Sequence, residues 1–214
     1  MKSKFVVFDL DDTLVSEVTF LESAYLEIAR HLNPTNPHQL FKEMVAWWST
    51  GENTFENLTM RFRETSMDDL LARYRNHQPD IHLVNGAADV LDYVKRRGYG
   101  LGLVTDGRSA TQRNKLRALG IEHLFDRIVI SEELGSSKPA TQNFRLFTAD
   151  WAGQCFYIGD NPAKDFLAPN ALGWTTIMVS DTGRNIHSQE IAVPHSHRPS
   201  VIVASLYDVI DHLR

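Results

Sequence analysis

Six short runs of apolar and β-branched residues punctuate the chain: Phe5 to Phe8, Leu101 to Val104, Ile128 to Ile130, Cys155 to Ile158, Thr176 to Val179 and Val201 to Val203. Several are apolar throughout, as strands covered on both faces are. Between most of them the pattern changes to a helical period. Ala87, Val90, Leu91 and Val94 fall at i, i+3, i+4 and i+7, and Gly98 stands where that helix should stop. A second helix is predicted from about Ser109 to Leu119, ending at Gly120. A third follows Pro139, with Phe144, Leu146, Phe147 and Trp151 as its apolar positions. A fourth runs from Ala163 towards Leu172. Strands alternating with helices predict an α/β fold: a parallel sheet between two helical layers.

One stretch breaks this alternation. From about Ser16 to Asp80 there is no strand pattern, and helices are predicted near Thr19–Leu32, His38–Trp48, Thr54–Glu64 and Met67–His77. Asn33-Pro34, Asn36-Pro37 and Gly51 mark the joints. The expected organisation is a core domain of residues 1–15 plus 82–214, with an all-helical domain, residues 16–81, inserted after the first strand.

Composition narrows the function classes. Hydrophobic residues make up 43% of the 214 and charged residues 23%, an ordinary globular mixture. The net charge of −5 lacks the basic surplus of a nucleic-acid binder, and no apolar run has the length of a bilayer span. Phe5 to Phe8 is too short for a signal-peptide core. The lone cysteine, Cys155, sits in an apolar run as a small hydrophobe and can form no intrachain disulfide. These features lead us to expect a cytoplasmic protein acting on small molecules, without nucleic-acid or membrane partners.

The chemistry gathers at strand ends, where open α/β sheets bind ligands. The first strand runs into Asp9-Leu10-Asp11-Asp12-Thr13. Acids so close repel one another unless a cation is present, and hard oxygen donors suit Mg²⁺. An acidic turn or helix cap is the competing reading. The second strand ends in Thr105-Asp106-Gly107, a hydroxyl followed by a turn whose N–H groups could face an anion, or simply a strand-ending turn. Lys138 precedes Pro139, which suits a helix start. Gly159-Asp160 to Asp165 adds two carboxylates after the fourth core strand, or an acidic helix start.

Taken together, Asp9-Leu10-Asp11-Asp12-Thr13, Thr105, Lys138 and Gly159-Asp160 to Asp165 resemble the haloacid-dehalogenase-like hydrolase superfamily over nearly the whole chain. The insert position resembles its helical cap of the first type. The wording Thr105-Asp106-Gly107, Gln112, Lys115-Leu116 and Ile130-Ser131-Glu132-Glu133 is most similar to the pyrimidine-nucleotidase and N-acylneuraminate-9-phosphatase branch. Asp106 departs from it, since that branch usually carries Asn there. The resemblance implies a three-layer, parallel, Rossmann-like core with the helical cap after strand 1. It implies a Mg²⁺-dependent phosphatase of small phosphomonoesters, working as a monomer or homodimer.

By that resemblance Asp9 is the nucleophile and Asp11 the general acid and base. Thr105, Lys138 and the N–H groups of Leu10 and Asp106 bind the phosphoryl group. Asp9, Asp160 and the Asp11 carbonyl hold the metal, with Asp165 supporting them. Its hinges would lie near Asp12–Glu17 and His82–Asn85. Trp47, Trp48, Phe55, Phe62, Arg61 and Arg63 would either face substrate or, as such stripes usually do, pack and solvate the cap; Arg108 is the better substrate contact. The histidines near the C-terminus need no special role. A phosphosugar mutase shares these motifs, and a phospho-accepting signalling domain combines similar residues.

Overall fold

The structure, a computed structural model, describes residues 3–148, 153–181, 183–190 and 192–214. Strands β1 (Lys4–Phe8), β2 (Gly100–Thr105), β3 (Arg127–Ile130), β4 (Gln154–Gly159), β5 (Thr175–Val179) and β6 (Val201–Val203) form one sheet in the order β3-β2-β1-β4-β5-β6. Every neighbouring pair is parallel. All six lie where the apolar runs place them. Alternation along the strands explains the layers. Val6 and Phe8 of β1, Leu101 and Leu103 of β2, and Phe156 and Ile158 of β4 face one buried cluster. That cluster is closed by α5 (Ala87–Arg96) and α10 (Leu206–His212). Val7, Val104 and Tyr157 point the other way, onto Phe144, Phe147, Phe166 and Trp174.

Between β1 and β2 lie α1 (Glu17–Leu32), α2 (Pro37–Ser49), α3 (Thr54–Arg61) and α4 (Met67–Asn76). Their starts follow from local chemistry. Asn36 caps α2 by accepting from the Gln39 N–H, with Pro37 as first helical residue, and Ser66 and Asp69 form a reciprocal box at α4. The four helices bury their own cluster, including Leu21, Ile28, Leu40, Met44, Leu58 and Leu70. Trp47, Trp48, Phe55 and Phe62 pack on it, so these aromatics are packing residues. Arg61 pairs with Glu43 and Arg63 is exposed, which leaves neither facing a catalytic centre.

The two chain crossings between helices and sheet run side by side. Val15 bridges to Leu83, and the Val84 N–H donates to the Leu14 carbonyl. Helix α6 (Ser109–Ala118) supports the helical unit from below. Thr111 Oγ1 donates to the Arg75 carbonyl, and Asn114 Nδ2 to the carbonyls of Asn76 and His77. His77 is buried; it pairs with Glu27 through Nδ1 and meets Ser23 Oγ at 2.7 Å through Nε2, tying the end of α4 to α1.

Some elements differ from expectation. The helix after Pro139 is confined to α8 (Gln142–Arg145), behind a cis Lys138–Pro139 bond. Phe144 and Phe147 are buried as expected, but Leu146 turns to solvent; Trp151 lies outside the described residues. The helix expected from Ala163 begins only at α9 (Leu167–Ala171), because the Asp165 carboxylate folds back to accept the Asp160 and Asn161 N–H groups. A short α7 (Ser131–Leu134) and α10 carry no earlier signal in the apolar pattern used above. Among the described residues no helix is long and apolar enough to cross a membrane.

Candidate active site

Strand β1 ends as the Asp9 N–H donates to the Ile158 carbonyl; the chain then curls so that the Leu10 carbonyl accepts from the N–H groups of Thr13, Leu14 and Val15. Asp12, at φ 53°, makes the turn, in the left-handed region that aspartate tolerates better than most residues. Its carboxylate accepts from the Glu17 and Ile186 N–H groups, so Asp12 takes the helix-capping role. The curl leaves Asp9 and Asp11 over the carboxyl ends of β1 and β2.

Lys138 is the centre of charge. Its Nζ lies 2.8 Å from Asp9 Oδ1 and 2.7 Å from Asp165 Oδ1, and 3.2 Å from the Tyr157 hydroxyl, which itself donates to Asp165. Lys138 and Asp165 are all but inaccessible. Carboxylate oxygens of Asp9, Asp160 and Asp165 all approach within 4.8 Å of one another. Two of the three, Asp9 and Asp165, share the buried ammonium, and Asp160 stands beside them without touching it.

Electrostatics reflects that imbalance. Burial pushes the Asp9 carboxyl up to about 7, against the pull of Lys138 and with a further push from Asp165. Burial, then Asp165 and Asp9, raise Asp160 to about 8. Burial opposes the Lys138 charge, but Asp165 and Asp9 outweigh it and hold the ammonium well above its usual range.

The remaining residues surround this centre. Thr105 Oγ1 is buried and accepts from Gln112 Nε2 at 2.6 Å, leaving its proton to donate elsewhere. The Asp11 carboxylate is gripped by Lys115 Nζ at 2.6 Å and Gln112 Nε2 at 2.9 Å, so its side chain stands apart from the three-acid cluster. Asp106 turns away from the acids: Oδ1 accepts the Lys138 N–H, and Oδ2 lies 3.7 Å from Lys164 Nζ. Asp106 still lines a small cavity together with Asp9 and Asp160, with Lys164 as the cation beside it. Arg108, expected at the substrate, instead pairs with Glu132 and is largely exposed, because the turn at Gly107 swings it over α7. Gly159 is required by close approach: a Cβ there would stand 2.6 Å from Asp165 Oδ2.

Several contributors escaped the sequence reading. Tyr157 lies inside an apolar run, where a phenol gives no sign of its partner. Gln112 and Lys115 sit on the buried face of α6, and polar residues on an inward helical face were a usable signal. The polar loop after β5 returns to the site: Asn185 Nδ2 donates to Asp160 Oδ2, and Gln189 Nε2 to the Asp160 carbonyl. His187, set aside as one of the C-terminal histidines, lines the catalytic cavity.

That cavity measures about 70 Å³ and is lined by Asp9, Asp11, Thr105 and Asp160 among others. A larger cleft of about 940 Å³ lies beyond Asp12, between α1 and the ends of β5 and β6, and contains none of Asp9, Thr105 or Lys138. The acids and Thr105 singled out in the sequence line the smaller space.

Comparison with known proteins gives this arrangement a family. A family model for haloacid dehalogenase-like hydrolases matches residues 6–179. The glyceraldehyde 3-phosphate phosphatase of Methanopyrus kandleri is 28% identical over 195 residues, covering 82% of this chain and 83% of its own. The pyrimidine 5'-nucleotidase PynA of Streptococcus pneumoniae is 26% identical over 231 residues, covering 98% and 94%. In fold, the chain is similar to the HAD-hydrolase YfnB from Bacillus subtilis bound to magnesium, with a TM-score of 0.67 at 20% identity and full coverage of both chains. With a match that runs from the first strand through the fifth, the chain belongs to the haloacid dehalogenase-like hydrolases.

Proposed function

We propose that the protein hydrolyses a small phosphomonoester through a phosphorylated Asp9, with Mg²⁺ as cofactor. The observation that carries this reading is the buried cluster of Asp9, Asp160 and Asp165 at the carboxyl ends of β1 and β4, with Lys138 paired to Asp9 and Asp165. Oxygen-only donors, two of them with raised carboxyl pKa values, fit a hard divalent cation. Asp9 and Asp160 would hold it. Asp165 is engaged by Lys138, Tyr157 and two backbone N–H groups, so it orients the others. Bound there, Mg²⁺ would offset the acidic charge and draw electron density from the phosphoryl oxygens.

The chain's own residues supply the steps. An Asp9 carboxylate oxygen attacks phosphorus and the bond to the ester oxygen breaks. Asp11 gives its proton to the departing alkoxide. It then takes a proton from the water that attacks phosphorus and breaks the Asp9–phosphorus bond. Gln112 and Lys115 hold the Asp11 carboxyl in direction. Thr105, Lys138 and the Leu10 and Asp106 N–H groups receive the phosphoryl oxygens, where preorganised donors act most strongly. Helices α1–α4 act as a cap, with residues 16–81 moving on the paired crossings as a unit and excluding water when closed.

The test is phosphate release from an aryl phosphate with Mg²⁺ and with EDTA. Release that requires Mg²⁺ is expected; equal release in EDTA contradicts the reading. A second prediction concerns stability. A carboxyl whose folded pKa lies above its unfolded value keeps its proton in the native state where the unfolded chain has lost it, so stability falls as pH rises from about 4 to about 8. Metal-free protein should therefore melt lower at pH 8 than at pH 5. Mg²⁺ at about 100 times its Kd should add about 2.7 kcal/mol, or roughly 5–10 °C, with more gained at pH 8 than at pH 6. Differential scanning calorimetry checks both.

A further inference from the structure

Glu17, the first residue of α1, lines the same small cavity as Asp9, Asp11 and Thr105. Its N–H is anchored on Asp12, but its carboxylate has no hydrogen-bond or ion-pair partner among the described residues. The lysines nearby are paired with other acids, Lys115 with Asp11, Lys138 with Asp9 and Asp165, Lys164 with Asp106, and His187 lines the same cavity. Burial and then the Asp11 charge push the Glu17 carboxyl up to about 7, against the pull of Lys115 and Lys164.

On the phosphatase reading, on which this inference rests, the phosphoryl group lies on Asp9 and the ester oxygen turns to Asp11. The leaving alcohol then extends towards α1, where Glu17 stands. A carboxyl there with no bonded partner offers free acceptor oxygens, and its ionised form repels a second anion. We propose that Glu17 selects the substrate: it accepts a hydrogen bond from an ammonium or hydroxyl group on the leaving alcohol and turns away phosphomonoesters whose leaving group carries a carboxylate. A site built to bond a donor discriminates strongly against ligands that lack one.

The experiment compares kcat/KM for phosphoethanolamine, glycerol 3-phosphate, phosphoglycolate and p-nitrophenyl phosphate in wild type, Glu17→Gln and Glu17→Lys, each with Mg²⁺. Wild type should prefer phosphoethanolamine or glycerol 3-phosphate to phosphoglycolate. Glu17→Gln should shrink that ratio about 10–100-fold, the range of a charge-assisted hydrogen bond, and Glu17→Lys should invert it. Loss confined to the ammonium arm or to the hydroxyl arm supports the proposal and names the donor. A ratio unchanged within about two-fold in both variants, while wild type still hydrolyses p-nitrophenyl phosphate, overturns the role of Glu17 alone. Phosphate release from none of the four by wild type overturns the phosphatase reading, and this inference with it.

Discussion

Asp9→Asn is expected to reduce phosphate release to background. An amide nearly matches the carboxylate in shape but is a poor nucleophile, so the covalent route closes while the pocket stays formed. Loss of a nucleophile in a covalent enzyme costs on the order of 10⁶-fold in kcat. Asp11→Asn keeps the nucleophile and loses only proton transfer, about 10²–10⁴-fold. The ordering of the two separates the roles: initial rates with an aryl phosphate measure it, and a thermal melt of each variant establishes that it is folded. Wild-type turnover by Asp9→Asn would end the account. So would an Asp11→Asn variant weaker than Asp9→Asn, because it would place the covalent step elsewhere.

Lys138→Met should be the most destabilising single change in the site. Among the described residues its ammonium is the one cation in contact with both Asp9 and Asp165, and Asp165 is fully buried. Methionine fills much of the volume but leaves the acids facing one another. Breaking a buried pair in this way costs about 3–5 kcal/mol, or roughly 6–20 °C in a chain of this size. The loss should be greatest at pH 8 in EDTA. It should shrink towards pH 5, since protonated acids no longer repel, and shrink on adding Mg²⁺. Equal melting of Lys138→Met and wild type at pH 8 in EDTA would mean that the acids do not depend on the lysine.

Most of this arrangement could be read from the chain because its key groups sit where apolar runs stop. Phe8 to Asp9, Val104 to Thr105 and Ile158 to Asp160 each pass from a buried strand to a polar end, and a parallel sheet delivers all such ends to one edge. The four inserted helices were equally legible, since Asn and Pro joints and Ser66 mark their starts. What stayed hidden has no local signature. Asn185 and Gln189 occur in a polar loop that reads as surface, and only the fold brings them to Asp160. Tyr157 looks like any strand aromatic. The helix expected at Ala163 starts late because Asp165, counted as a helix-start acid, bonds backbone N–H groups that a helix there would have oriented differently.

The order of the strands has a consequence for synthesis. β1 lies at the middle of the sheet, yet both of its neighbours are made later, β2 nearly a hundred residues on and β4 about a hundred and fifty. On the ribosome the strand that leads into Asp9 therefore emerges without a mate, and parallel pairing allows no hairpin to shelter it. The helices of the insert, rich in short-range contacts, can form meanwhile. A translating chain should thus display a folded appendage on an unpaired apolar segment, Phe5 to Phe8, for many seconds.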